Sequence, residues 1–554
     1  AMGGRSAARR ADTARRLSRF AALRGVVQGR AGVGGRFWTG LGAGPGRVAS
    51  GVAEPRAGNG GSTLHVLQYL EDLYGDEWSS FTVLLIHSGG YSQRLPSASA
   101  LGKIFMALPL GEPLFQMLEL KLAMYLDLPR HMRPGVLVTC SDDIELYSTG
   151  DTEPIRLDRP GVTALAHPSE LAVGTTHGVF VLEPSSFSGQ GGLELASCRG
   201  FLHKPDVGTM RRSGAVCVRG QGGSECVYTD SVFYMDHPTA RRLLAFYRQL
   251  GTLGCELDAY GDFLQALGPG ATPADPRGTS SGSREGRRRA ELRQQLFSLL
   301  QGTPLHVLLL HNSRFYHLGT SQECLLHFSA DSKLSFELDL LPVAFSLVPD
   351  TAQGCAQARV LQSILGPGCE LGPGSVIEFS RLGPEVSVGQ SSIVSGACID
   401  FSADIPSNCL LSSLSVRMNG QVGHVTLVFG VGDDLKRSVS LLAETASLGF
   451  FGASLADCLD LWGVEASEQL FSSEHTRWGL WTARIFPVCA TPSESVRVAL
   501  KMLDSVQHMS PCKLRGFQLL SVEEVLTYKD VEDMLKFRRQ IYDEICLQRQ
   551  KDKS

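Results

Sequence analysis

Between Leu365 and Ile399 an aliphatic residue returns every five or six positions, at Leu365, Leu371, Ile377, Leu382, Val388, Val394 and Ile399. Four of the seven are followed directly by glycine. A glycine-rich loop has no reason to keep that spacing. A β-helix does, because each short coil turns one aliphatic side chain inward and glycine lets the chain round the corner. Residues 351–554 are therefore expected to form a β-helix domain that ends in an amphipathic helix near Val531–Leu547.

The chain has 554 residues, too many for one ordinary core, so two or three units are expected. Before residue 350 the pattern is different. Phe81–Ile86 and Gly135–Cys140 are short apolar runs of the kind found in parallel strands covered on both faces. A helical stretch, Leu114–Leu126, lies between them, and Gly178–Leu182 and Val227–Met235 are further candidate strands. Strands alternating with helices indicate an α/β sheet with helices on its faces. The expected unit covers residues 58–350, with a Pro-, Gly-, Ser- and Arg-rich surface loop near 268–289, a helix at Ala290–Leu300 and a strand at Leu305–Leu310.

A hydrophobic share of 43%, a charged share of 19% and a net charge of −4 describe a globular protein with no general attraction to nucleic acid. The 14 cysteines are scattered singly, without zinc spacing, as buried thiols in a reducing compartment would be. No run approaches the ~20 apolar residues of a membrane span, and a cytoplasmic location is expected. Residues 1–57 are a basic, then glycine-rich extension. Its early arginines admit two readings: a transit peptide, or a helix that docks on the body through Leu17, Phe20 and Leu23.

The first candidate site is the turn after the first strand, His87-Ser-Gly-Gly-Tyr-Ser-Gln-Arg-Leu-Pro96, with Lys103 beyond it. Gly89 and Gly90 let backbone N–H groups approach a phosphate with no Cβ in the way. Arg94 and Lys103 supply fixed positive charge for a triphosphate, where positioning and neutralisation are the protein's main task.

Gly-Gly-x-x-x-Arg-Leu after a strand resembles the signature loop of sugar-nucleotide pyrophosphorylases. Longer blocks resemble the fucose-1-phosphate guanylyltransferase family in particular. Among them are Ala100-Leu-Gly-Lys-Ile-Phe105, Met117-Leu-Glu-Leu-Lys-Leu-Ala-Met124, Asp142-Asp-Ile-Glu-Leu-Tyr147, Thr163-Ala-Leu-Ala-His-Pro168, Phe201-Leu-His-Lys-Pro205, Tyr228-Thr-Asp-Ser231 and the segment Asp258–Ala271. The likeness runs from about Gly58 to the C-terminus. It implies an α/β nucleotidyltransferase fold, a Rossmann-like mixed sheet, followed by a β-helix. It also implies transfer of GMP from GTP to L-fucose 1-phosphate, with GDP-L-fucose and pyrophosphate as products.

Within that resemblance Asp142 and Asp143, just past a buried strand, are expected at the sheet end where ligands bind. There they would hold Mg²⁺ on the phosphates or cap the next helix. Lys204 matches the lysine that related enzymes use on the sugar phosphate. Asp230 and Asp262 are either sugar contacts or turn residues. Gly60, Gly61 and Ser62, ahead of a helix, either meet the nucleotide or form a linker.

Two departures stand out. His317, in Phe315-Tyr-His-Leu-Gly-Thr320, occupies the place where many related nucleotidyltransferases carry a metal-binding Asp, so the metal would rely on other carboxylates or be bound less tightly. Residues 38–57 are Gly- and Ala-rich where the family has a strand-like stretch. Two other activities compete with the expected one, the same reaction on another sugar phosphate and a non-catalytic regulatory role.

Overall fold

The computed structural model describes residues 2–30, 58–88, 91–149, 154–183, 192–219, 224–251, 253–271, 284–472 and 478–552. The chain forms two compact units. One holds residues 1–90 and 118–316, the other residues 91–117 and 317–554.

The first unit is built on one sheet. Its strands are β1 (Thr82–Ile86), β2 (Gly135–Thr139), β4 (Val162–Ser169), β5 (Gly178–Leu182), β6 (Leu193–His203), β7 (Cys217–Arg219), β8 (Ser224–Asp236) and β9 (Leu305–Leu310). The strand β3 (Asp143–Tyr147) stands outside it. The order is β1-β2-β8-β4-β9-β6-β5, with β7 on β8. A Val179↔Thr229 pairing brings β5 back to β8, so β8, β4, β9, β6 and β5 close into a ring of five strands. Strands β1, β2, β4 and β9 run in one direction, while β8 and β6 oppose them. Every residue of β2 is buried, which explains its unbroken apolar run.

Helices cover this sheet. Leu64 and Leu67 of α2 (Gly58–Tyr74), Leu243 and Leu244 of α6 (His237–Leu250) and Leu296 of the later helix Arg284–Leu300 are at most 2% exposed, in one core with Val136, Val138 and Leu309. Burying each such leucine contributes roughly 1.5–3 kcal/mol. The start of α6 is set by Asp236, which accepts from the Thr239 amide at 2.9 Å, with a proline in the first turn.

The basic N-terminal segment is the helix α1 (Met2–Arg30), and it docks on this unit. Arg9, Thr13 and Phe20 are buried on one face, and Leu17 is half-buried. Arg16 donates to the Tyr147 carbonyl at 2.9 Å, and Arg19 grips both carboxylate oxygens of Asp127. The side chain of Leu23 lies outside the described residues.

In the second unit three parallel sheets repeat at a fixed interval of 17 residues. Arg359 pairs with Val376 and Ile393 with Leu410, Ile364 with Arg381 and Arg381 with Cys398, Glu370 with Ser387 and Ser387 with Asp404. All seven aliphatic residues named above are at most 5% exposed. The glycines behind them serve closeness rather than a corner. A Cβ on Gly366, Gly372 or Gly389 would lie 2.6, 2.4 or 2.3 Å from backbone of the next rung. The helix Val531–Lys551 follows, burying Ile541 and Ile545 and stacking Arg538 3.8 Å over Phe379.

Among the described residues no helix is long and apolar enough to cross a membrane.

Candidate active site

Strands β1 and β2 are parallel and end side by side, their pairing extended by the His87 amide donating to the Thr139 carbonyl at 3.0 Å. Cys140, Ser141 and Asp142 follow directly, and Asp143 opens β3. A strand, not a helix, comes next, so Asp142 and Asp143 cap no helix. Cys140, Asp142 and Asp143 each offer one ligand atom, all within 4.8 Å of one another. Burial pushes the Cys140 thiol up, and the Asp143 and Asp142 charges add to the rise. The thiol therefore stays protonated beside two carboxylates.

The N-terminus of α2 closes one side. Gly60 and Gly61 lie inside its first turn rather than ahead of it, and both are buried. The Gly60 amide donates to the Leu257 carbonyl at 2.9 Å, where a Cβ would crowd Leu257 at 3.0 Å. Asn59 accepts from the Ala259 amide at 2.8 Å, and the Ser62 hydroxyl turns back to the Gly58 carbonyl at 2.8 Å. Thr63 bonds His87 Nε2 at 2.9 Å. Burial lowers the His87 pKa to about 4 against the nearby charges of Asp258 and Asp142, so the ring is neutral at pH 7.

Beside the start of α2, joined to it through these Leu257 and Ala259 bonds, is the π-helical turn Ala259–Leu264. Asp258 caps it, accepting from Tyr260 and Gly261 amides at 2.9 and 2.8 Å. Asp262 accepts from the Asp258 amide at 2.8 Å and pairs with Arg293 at 2.6 Å, so its carboxylate is engaged inside the turn. Tyr260 donates from its hydroxyl to the Ser231 carbonyl at 3.3 Å. Burial raises its hydroxyl far above the usual value, and the charges of Asp143 and Asp230 add to the effect. Asp258 and Tyr260 lie in the same sequence segment as Asp262, Asp258–Ala271. An Asp three residues before a Gly, at the head of a helical turn, is the sequence signal for Asp258.

Asp230, on β8, is buried and accepts from the Gly178 amide at 2.9 Å. Burial raises its pKa to about 7, with Asp258 adding to the rise and Lys204 opposing it. Lys204 itself is exposed, with φ of 48° and its amide bonded to the His177 carbonyl at 3.1 Å. Asp142 and Asp258 thus share His87 as a neighbour, Asp143 and Asp230 share Tyr260, and Asp258 and Lys204 share Asp230, all in the first unit.

Arg94 and Lys103 belong to the second unit. Lys103 is buried and donates to the Gly319 carbonyl at 3.1 Å. The Arg94 side chain is exposed, and its carbonyl accepts from the Ser321 amide at 2.8 Å. In the same turn His317 Nδ1 meets Glu323 at 3.0 Å, and Glu323 also accepts from the Gly319 amide at 3.1 Å. Gly89 and Gly90 lie outside the described residues.

The model of the fucose pyrophosphorylase domain matches residues 75–491. Human fucose-1-phosphate guanylyltransferase is 54% identical over 511 residues, 89% of this chain and 84% of its own length. The mouse protein of the same name is 55% identical over 509 residues, covering 89% and 86%. The bifunctional fucokinase/GDP-fucose pyrophosphorylase of Arabidopsis thaliana is 25% identical over 543 residues, 87% of this chain and 48% of that longer protein. With a family model spanning most of its length and two relatives more than half identical over most of both chains, the chain belongs to the fucose pyrophosphorylase family.

Proposed function

We propose that the chain transfers GMP from GTP to L-fucose 1-phosphate, forming GDP-L-fucose and pyrophosphate. The observation that carries this is identity above one half to two fucose-1-phosphate guanylyltransferases, over most of both chains. A phosphate oxygen of the sugar phosphate attacks the α-phosphorus of GTP. The bond from that phosphorus to the α–β bridging oxygen breaks, and pyrophosphate leaves with its electron pair. No general base is needed, because the attacking phosphate is ionised at neutral pH. Positioning and charge neutralisation remain as the protein's task.

The finer architecture follows the same reading: a nucleotidyltransferase-type sheet, then stacked β-helix coils, in a cytoplasmic enzyme. Lys204 orients the sugar phosphate, and Asp230 receives a sugar hydroxyl. Arg94 and Lys103 neutralise the triphosphate. Gly60, Gly61 and Ser62, with Gly89 and Gly90, shape the nucleotide's backbone surroundings. Asp262, tied to Arg293, supports the Asp258 turn rather than reaching a ligand.

The donors at the Cys140–Asp143 turn suit Mg²⁺ in part. Magnesium prefers oxygen ligands and keeps several waters, so Asp142 and Asp143 fit it, while the protonated Cys140 thiol does not. Bound there, Mg²⁺ would neutralise charge on the phosphate oxygens. His317 has Glu323 as its partner at Nδ1.

Pyrophosphate release from GTP, with Mg²⁺ and a panel of sugar 1-phosphates, tests the proposal. Fucose 1-phosphate should give the highest kcat/KM. Background release with every sugar would overturn it.

A further inference from the structure

Behind the acidic turn lies a charged network that the reaction above does not use. Lys121, on the helix α3 (Met117–Met124), places its ammonium 3.2 Å from Thr139 Oγ1, 3.3 Å from the Tyr125 hydroxyl, and 3.3 and 3.4 Å from the two carboxylate oxygens of Glu145. Tyr125 donates to Glu145 Oε2 at 3.0 Å and meets Thr139 Oγ1 at 3.0 Å. The Lys121 and Glu145 side chains are 1% and 2% exposed, and Thr139 is fully buried.

Stability does not account for such a pair. Taking the two ions out of water costs several kcal/mol each, and well-packed apolar replacements of similar volume are often neutral or stabilising. Its place in the chain offers a different reason. Thr139 is the last residue of β2, directly before Cys140, and Glu145 lies in β3, two residues after Asp143. The network therefore clamps both flanks of the Cys140–Asp143 turn to one helix. A second tie runs the same way, from the Tyr147 hydroxyl to the Met124 carbonyl at 2.7 Å.

We propose that Lys121, Tyr125, Thr139 and Glu145 are positioning residues that hold the Asp142–Asp143 turn in the shape its carboxylates need to bind a divalent cation. This rests on the reading of Asp142 and Asp143 as the metal-holding pair. A fixed hydrogen-bonded frame around a carboxylate ligand typically raises metal affinity by about 10–100-fold. The ion pair cancels its own charge, so it supports the turn without competing with the cation for the carboxylates.

The test is Mn²⁺ binding by the full chain without nucleotide, followed by the electron paramagnetic resonance of free Mn²⁺, alongside thermal melting. A double variant, Lys121→Met with Glu145→Leu, should melt at or above the parent temperature yet raise the Mn²⁺ Kd by about tenfold or more. Half-maximal Mg²⁺ for pyrophosphate release should rise in step, with the KM for GTP little changed. Unaltered Mn²⁺ binding in the folded double variant would overturn the proposal. Should that variant fail to fold, Tyr125→Phe and Thr139→Val each delete one hydroxyl of the network. Either should weaken Mn²⁺ binding about threefold or more, and parent-like binding in both would count against the proposal. Asp142→Asn and Asp143→Asn separate the two levels. If neither changes Mn²⁺ binding, the metal reading falls and the inference falls with it. If they weaken it and the network variants do not, only the inference fails.

Discussion

Lys103 Nζ lies 3.1 Å from the carbonyl oxygen of Gly319, although 216 residues separate the two along the chain. The turn around Gly319 also holds His317 and Glu323 together. Two segments that draw attention separately in the sequence, one for its cations and one for a histidine in place of an aspartate, are thus neighbours in the second unit. Lys103→Met should lower kcat/KM for GTP by about 100-fold, as loss of a charge aimed at the reacting phosphates does. Unfolding should shift by no more than about 2 kcal/mol, since one charge-assisted hydrogen bond is lost. Lys103→Arg should not restore activity, because a planar fork does not fit where a compact ammonium does. Unchanged kinetics in Lys103→Met would remove the residue from the site.

Lys204 adopts φ of 48°, in the left-handed region that costs a non-glycine residue about 1 kcal/mol. Lys204→Gly should therefore relieve strain, raising stability by up to about 1 kcal/mol. The same variant should raise the KM for fucose 1-phosphate about tenfold, the loss of one charge-assisted contact, and leave the KM for GTP nearly unchanged. Opposite signs in stability and function are hard to obtain from a merely structural residue. Equal rises for both substrates would contradict the role assigned.

Asp230 carries a carboxyl raised to about 7 by burial, against about 4 in an unfolded chain. Between those values the folded state binds more protons than the unfolded state. This group's stabilising contribution is therefore complete below about pH 4 and fades as pH rises through about 7. Asp230→Asn removes the titration and keeps an acceptor for the Gly178 amide. Relative to the parent, its stability should climb with pH across this window by at most about 1.4 kcal/mol per unit. Urea unfolding at pH 5, 6 and 7 reads this directly, and parallel curves would show that the carboxyl titrates normally.

Asp262 is 4% exposed at its side chain and bound to Arg293. Asp262→Asn strips a buried partner from a charge and should destabilise the fold by about 3 kcal/mol. The KM for fucose 1-phosphate should change less than twofold. A large KM effect in a stable variant would return Asp262 to the sugar site.

The sequence is most legible where one physical demand repeats. The aliphatic residues from Leu365 to Ile399 are buried as their spacing requires, and β2 reads as a strand because both its faces are covered. The glycines after those aliphatic residues mislead only in mechanism: close approach of the next rung, not a turn, excludes a side chain there. Gly58–Ser62 reads as a loop because glycine is a poor helix former. Packing against Leu257 overrides that preference and draws these residues into α2. Asp142-Asp143 has the look of a helix cap, but the chain continues as β3, whose Glu145 pairs with Lys121. Lys121 and Glu145 carry no local sign of their burial, since each is set by a partner on another element. Tyr260 is hidden for the same reason, whereas Asp258 carries the local sign of a helix cap.

The reaction itself can be followed with GTP labelled at the α-phosphorus. With Mg²⁺ and L-fucose 1-phosphate, the label should appear in GDP-L-fucose while unlabelled pyrophosphate is released in equal amount, and Asp142→Asn with Asp143→Asn should abolish both. Label that remains in GTP, or that appears in GMP or GDP without GDP-L-fucose, would contradict guanylyl transfer by this chain.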